Sequence, residues 1–91
     1  MPENPAPTVT TRTGVVRIGQ LYRDNRLSNV RTLRVDRMQV DDRGGCDVHC
    51  VVIHQDYGDG RITEPMRETT MTAQRLTSRS FVLIEDGADN A

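Results

Sequence analysis

The 91-residue sequence contains no tryptophan and no lysine, and only three of its residues are aromatic. So few aromatic side chains argue against a stacking platform for single-stranded nucleic acid and leave the core to aliphatic residues. Without lysine, all 12 positive charges are arginines. A GC-rich coding sequence explains this bias more simply than selection for the bidentate guanidinium group does.

Long apolar runs are also absent, since none approaches the ~18 residues that a membrane-spanning helix needs. The first residues, MPENPAPTVTTRTG, have neither the basic nor the apolar region of a secretory signal peptide. Two cysteines are too few for a disulfide framework. The sequence therefore predicts a soluble, cytoplasmic protein with free thiols and no contact with a membrane.

Length and composition predict one domain with two disordered ends. Residues 1–14 hold three of the four prolines and predict a disordered N-terminal arm. Residues 15–85 predict the folded domain, and residues 86–91 predict a disordered acidic tail. The net charge of −1 gives no overall basicity that would indicate nucleic acid or anionic lipid as a partner.

Alternation of apolar and polar residues predicts five short strands, over 15–22, 29–40, 46–56, 61–72 and 80–85. Gly19 indicates a bulge in the first strand, and a change of phase at Met38 indicates another in the second. Pro65 cannot donate to a ladder, so it belongs on an edge or at a bulge. Residues 73–76 fit one short helical or 3₁₀ turn capped by Thr72.

Five strands with one short turn before the last strand is the order of elements in an SH3-like small barrel. The sequence therefore predicts an all-β fold, specifically an SH3-like five-stranded barrel whose closure protects the sheet edges. A five-stranded OB-like barrel is the alternative. It calls for a longer helix between the third and fourth strands, and the sequence has no such segment.

Three stretches match a known pattern: GQLYRDN at 19–25, RTLRVDR at 31–37 and RLTSRSFVLI at 75–84. Together they resemble a group of small, uncharacterised actinobacterial and actinophage proteins with the pattern Gly-Gln-x-aromatic-x-Asp, an Arg-rich strand, and an Arg-aromatic-x-Pro-Thr stretch before a final apolar strand. Here residues 76–78 replace the aromatic and the proline, and Tyr22 stands where the pattern often has tryptophan. The resemblance implies fold and origin, with no activity to transfer.

The stretch CDVHC at 46–50, followed by His54, concentrates the residue types that bind metals. On a strand, residues four apart are separated by ~13 Å. That distance is too long for a shared zinc ion or a disulfide. We interpret the stretch as a strand with His49 facing outward and an apolar inner face formed by Cys46, Val48, Cys50 and Val52.

A nucleophilic triad is nominally available in Cys50, His54 and Asp56. The sequence, however, has no glycine-rich nucleophile turn and no phosphate loop, and its core is small. We therefore expect a protein without enzymatic activity, bound metal or cofactor.

Two candidate binding surfaces remain, of which the first is a set of arginines suited to phosphate contacts. This arginine set consists of Arg17, Arg23, Arg26, Arg31, Arg34 and Arg37. The competing interpretation is a solvated face on which the arginines pair with nearby aspartates. A bulge in the second strand would bring Arg34 and Arg37 to one face.

The second candidate surface is the edge near Pro65, with Met66 and Met71. Exposed methionines form an adaptable protein-binding surface, whereas buried ones fill gaps in a core. The near-neutral net charge and the scarce aromatics favour a protein partner, so we expect a protein-binding module of an actinobacterium or its phage. Nucleic-acid backbone binding through the arginine set is the alternative, and self-association is a third way for so small a chain to complete its core.

Overall fold

Antiparallel strands dominate the computed structural model, which describes residues 4–5 and 8–86. Its elements are β1 (Asn4–Pro5), β2 (Thr8–Thr10), β3 (Val15–Arg17), β4 (Leu21–Asp24), β5 (Val30–Val40), β6 (Cys46–Asp56), β7 (Ile62–Thr63), β8 (Arg67–Thr72), α1 (Ala73–Leu76) and β9 (Phe81–Glu85). The predicted all-β class is confirmed.

The two long strands β5 and β6 form the centre of the main sheet, whose order is β7-β6-β5-β4-β9. β8 pairs with β6 beside β7, β1 pairs with the end of β5, and β2 and β3 form a separate two-stranded sheet. Among the described residues, no strand joins β9 to the β7 and β8 side. The main sheet is therefore open, and the predicted barrel closure is not seen.

The bulge predicted in the second strand lies in β5. The register with β6 shifts between Val35 and Arg37, which makes Asp36 the extra residue. Because of this extra residue, Val35 and Met38 both reach the core. Arg37 consequently lies on the outer face together with Arg34. In a regular strand without a bulge, these two residues would lie on opposite faces.

Two of the predicted strands are interrupted, at Gly19 and at Pro65, where the sequence predicted an irregularity. Gly19 has a φ of 93° and donates its N–H to the Val35 carbonyl at 2.8 Å, so the chain turns between β3 and β4. Pro65 lies in the gap between β7 and β8, as expected for a residue that cannot donate to a ladder. The short helix α1 occupies the predicted positions, with Thr72 as its N-cap.

Residues 8–14 differ from the predicted disordered arm. β2 pairs with β3, and Val9 packs against the core. The Thr11 hydroxyl lies 2.9 Å from that of Thr77 and donates to the Gly14 carbonyl at 3.0 Å. The threonines and valine of this segment are β-branched and suit a strand, an effect that the nearby prolines masked. The rest of the predicted arm, residues 1–3 and 6–7, and residues 87–91 of the tail lie outside the described residues.

The core is aliphatic, as the composition predicts, with one tyrosine and one phenylalanine at its border. It consists of Val16, Tyr22, Leu33, Val35, Met38, Val48, Cys50, Val52, Ala73, Leu76 and Phe81. The inner face predicted for β6 is confirmed, because Val48, Cys50 and Val52 are fully buried and Cys46 packs against the same cluster.

Candidate functional site

Gln20 is the centre of a buried polar network at the start of β4. Only 1% of the residue is exposed. Its Oε1 accepts hydrogen bonds from the Arg17 N–H and the Tyr22 hydroxyl, both at 2.8 Å. Its Nε2 donates to the Val15 carbonyl at 3.1 Å and to Asp86 Oδ1 at 3.0 Å. The side-chain amide therefore ties together β3, β4 and the residue that follows β9.

Tyr22 acts as a hydrogen-bond donor within this network. Burial raises the pKa of its phenol to about 12, and the negative charge of Asp86 adds to the effect. The hydroxyl thus stays protonated at neutral pH and is committed to Gln20. This geometry gives Tyr22 a structural role.

Asp24 and Arg31 form a largely buried ion pair that joins β4 to β5. The Asp24 carboxylate accepts from the Arg31 backbone N–H at 2.8 Å, from its Nε at 2.9 Å and from its Nη2 at 3.0 Å. Burial opposes ionisation of Asp24, but the hydrogen bonds and charge of Arg31 outweigh it and lower the pKa of the carboxyl group. Arg31 therefore holds the fold together and is not available to a ligand.

Most of the arginine set lies close to carboxylates. Besides Arg31, three of its members lie within 4 Å of a carboxylate, in the pairs Arg17–Asp86, Arg26–Asp24 and Arg34–Asp36. Arg26 also donates to the Asn29 carbonyl at 2.8 Å. For Arg17, Arg26 and Arg34 the arrangement is the one that the solvated-face interpretation predicts, whereas Arg31 is part of a largely buried pair.

Arg23 and Arg37 differ from the other four. Both are exposed, and no carboxylate of the described residues lies within 4 Å of either. Arg23 stands in register with Thr32, which in turn pairs with His54. These three residues line an open groove of about 400 Å³ that also contains Asp56, so the groove holds charges of both signs.

The cysteines and histidines of β6 are distributed over both faces of the sheet. Cys50 is in the core, whereas His54 and Asp56 line the outer groove, so the nominal triad is not assembled. His49 Nε2 lies 3.4 Å from Gln39 Oε1. Within residues 4–5 and 8–86, no group of three or more His, Cys, Asp or Glu residues is arranged to hold a metal ion.

We expect the two thiols to differ in reactivity. Burial raises the pKa of Cys50 to about 12, with a further contribution from Asp36, while Cys46 is only half-buried. Because the thiolate is the nucleophile, iodoacetamide should label Cys46 in the folded protein and Cys50 only after unfolding. Mass spectrometry of labelled peptides measures this difference, and equal labelling of both residues in the folded state would contradict the placement of Cys50.

The two methionines of the predicted protein-binding surface, at the edge formed by β7 and β8, differ in their exposure to solvent. Met66 is 56% exposed, whereas Met71 packs against the core. The Met66 backbone has a φ of 52°, and its N–H donates to the Val52 carbonyl at 2.8 Å. Pro65 beside it is half-buried. Met66 therefore belongs to an exposed edge, and Met71 is a gap filler.

Ile62 is part of this edge, and the sequence-based prediction missed it. It is 59% exposed and lies on β7, four residues before Met66. A signal was present in the predicted strand 61–72, in which residues four apart share a face, although in the structure Met66 lies in the gap between β7 and β8. We call Ile62, Pro65 and Met66 the Met66 edge.

None of the helices within the described residues is long and apolar enough to cross a membrane. Among known proteins, no family model, no curated protein and no solved structure matches the chain.

Proposed function

We propose that this protein is a non-enzymatic binding module that recognises an extended segment of another protein at the Met66 edge. The observation that supports this function best is the pair of exposed apolar side chains, Ile62 and Met66, at an edge of the sheet. The strand order, with one helical turn before the last strand, favours an SH3-like arrangement of the module. We place it in the cytoplasm of an actinobacterium or of its phage-infected cell.

Strand addition is the mode of binding that this edge favours. Within the described residues, β8 pairs with β6 on one side only. An extended segment that lies along the other side would satisfy the backbone groups of β8 and gain affinity from the main chain. Ile62 and Met66 would then supply specificity through an apolar side chain of the partner.

The backbone of Met66 supports this interpretation. A non-glycine residue with a φ of 52° is in the left-handed region, a strain that costs about 1–3 kcal/mol. The hydrogen bond to Val52 and the neighbouring Pro65 fix this conformation, so the exposed thioether projects from a rigid base. Strain that is maintained by the surroundings is more common where a residue has a function than elsewhere on a surface.

The charges on β8 restrict the chemistry of the partner. Arg67 and Glu68 at its start are both exposed and opposite in sign, and the exposed Thr70 and Thr72 are neutral. A strongly acidic or basic segment would therefore gain little at this edge. The partner that fits best is an extended, nearly neutral segment with one or two aliphatic side chains.

Selection from a random peptide library tests the proposal. We expect enriched peptides to have this composition and to lose at least about tenfold in affinity for the Met66→Asp variant, since a central apolar contact is worth more than ~1.4 kcal/mol. Leu27→Asp is the matched control, because Leu27 is fully exposed in the loop after β4. Peptides that bind wild type and Met66→Asp equally well would refute the proposal.

The Met66→Gly variant separates binding from folding. Glycine adopts a positive φ without the strain of a side chain, so we expect the free energy of unfolding to rise by about 1 kcal/mol. Peptide affinity should fall at the same time, because the thioether is gone. A more stable protein that binds less tightly excludes loss of folding as the cause.

Nucleic-acid binding remains the second candidate because Arg23 and Arg37 are exposed on the outer face and form no ion pair within the part of the chain that the structure describes. Titration of duplex DNA, single-stranded DNA and RNA at about 50 and 200 mM salt tests it, because phosphate contacts weaken steeply over this range. Binding that collapses with salt and is lost in an Arg23→Glu, Arg37→Glu variant would favour this function. With four of the six arginines paired, we expect no such binding.

A further inference from the structure

We infer that a second copy of this chain pairs with β9, antiparallel and about a two-fold axis near Val82, so that the two main sheets become continuous. This contact lies at the opposite end of the sheet order from the Met66 edge. It is therefore a surface distinct from the one in the proposed function and does not depend on that function.

β9 is the less protected of the two edges of the sheet. Leu83 and Ile84 are 45% and 46% exposed, and Val82 is half-buried. Natural proteins protect exposed edges with charges, prolines or polar residues. β8 carries the charged Arg67 and Glu68 together with its threonines, whereas the middle of β9 has only apolar side chains.

The backbone of β9 offers hydrogen-bonding groups on its outer side. The Ser80 carbonyl accepts from the Asn25 N–H at 2.9 Å, so Ser80 points its backbone groups toward β4. In an antiparallel pair this direction alternates, which directs the groups of Phe81 and Leu83 away from β4. Of these, the Phe81 N–H makes a long 3.4 Å contact with the Ser78 carbonyl.

A two-fold axis at Val82 brings the outward-directed backbone groups of the two copies into hydrogen-bonding register. It places Phe81 of one copy opposite Leu83 of the other at two equivalent positions, where each pair exchanges backbone hydrogen bonds. Ile84 is the bulged residue in the pairing with β4, so it ends the regular part of the edge. The contact is therefore short and gains its strength from apolar side chains as well as from the backbone.

Charge along the segment favours the antiparallel direction with a second copy. Arg79 precedes β9, Glu85 ends it, and both are exposed. Neither has an ion-pair partner within 4 Å among the described residues. An antiparallel pair places the Arg79 of each copy near the Glu85 of the other, which gives two attractive contacts, whereas a parallel pair places like charges together.

If the proposed function also holds, the dimer has a consequence for affinity. The two copies meet at β9, so their Met66 edges lie at the two outer ends of the continuous sheet. Such a dimer would bind two segments of one partner more tightly than a single copy does.

Sedimentation equilibrium of the full chain, with no partner present, tests the inference. We expect a concentration-dependent dimer that weakens at least about tenfold in the Arg79→Glu variant and in the Glu85→Arg variant, since each replaces two attractive contacts with two repulsive ones. The double variant, which exchanges the two charges, should restore the dimer. The matched control Thr70→Arg, on the β8 edge, should leave it unchanged.

A chain that stays monomeric at all concentrations would overturn the inference, and so would a dimer that is insensitive to both single variants. A dimer weakened by Thr70→Arg instead would place the contact at β8. Circular dichroism of each variant confirms that the exposed substitutions leave the fold intact. The peptide measurements at the Met66 edge are separate, so failure of either proposal is recognised without the other.

Discussion

Replacing Arg31 with methionine is expected to lower the free energy of unfolding by about 3–5 kcal/mol, because it leaves a buried carboxylate without its charged partner. Methionine keeps much of the apolar volume of the arginine stem but leaves the 4%-exposed Asp24 without its main partner. The variant keeps the backbone N–H bond to Asp24 but loses the two guanidinium hydrogen bonds, and Arg26, at 3.4 Å, is too distant and too exposed to replace them. The change is measured by urea denaturation, with circular dichroism as the probe of unfolding.

Arg34→Met is the matched control for this experiment. Arg34 forms an ion pair with Asp36 at 2.8 Å, but both side chains are 41% exposed. Exposed pairs contribute about 0–1 kcal/mol, so we expect little change in stability. Equal losses for the two variants would contradict the distinction between a structural Arg31 and a solvated Arg34.

Lowering the pH should reduce the difference in the free energy of unfolding between wild type and Arg31→Met. Because the folded-state pKa of Asp24 is lowered, the folded protein binds fewer protons than the unfolded chain at acidic pH. The stability that the pair contributes is therefore present above the unfolded pKa of about 3.9 and is lost as pH falls through the folded value. In the variant, burial without a partner favours a neutral Asp24, so the difference in stability between the two proteins narrows as the pH falls below about 4.

Gln20→Leu is expected to have the second large effect, a loss of about 2–3 kcal/mol, since a buried polar group left unpaired costs about 1–3 kcal/mol. The Arg17 N–H and the Tyr22 hydroxyl would lose their acceptor, and the Val15 carbonyl would lose its donor. Leucine has a similar volume, so the change tests hydrogen bonding more than packing. Thermal and urea unfolding of the variant give the loss.

The control for this experiment is Gln74→Leu, the same substitution at an exposed residue of α1. It should change stability by no more than about 0.5 kcal/mol. A loss below about 1 kcal/mol in Gln20→Leu would mean that the surrounding groups find other partners, and would remove Gln20 from the centre of the network.

The buried network gives a physical reason for the Gly-Gln-x-aromatic-x-Asp stretch at residues 19–24. Gly19 makes the turn, Gln20 connects three segments, Tyr22 donates to it, and Asp24 pairs with Arg31. Each residue of the stretch therefore has a role in the fold.

Sequence periodicity was sufficient for the centre of the fold. The predicted strand 46–56 has the same bounds as β6, and the predicted strand 29–40 differs from β5 by one residue. These strands are long and have one continuous buried face, so their alternation is strong. The change of phase in β5 was also readable, because a bulge moves every later side chain to the other face.

Pairing between residues that are distant along the chain could not be predicted from the sequence. The hairpin of β2 and β3 depends on contacts such as Thr11 with Thr77, which no local pattern reveals. The partners of the arginines were similarly hidden, because Arg17 meets Asp86 only after the chain has folded. Alternation places Met66 and Met71, five residues apart, on opposite faces of the predicted strand, but only the folded sheet shows that Met71 is the one against the core.

Chemical-shift mapping of the ¹⁵N-labelled protein with a selected peptide tests the central claim, that binding takes place at the Met66 edge, most directly. We predict that the perturbed amides follow the edge from Ile62 through Met71, and that β8 amides gain protection from exchange as a strand is added. Perturbations centred on Arg23 and Arg37, with the β7 and β8 amides unchanged, would contradict the claim.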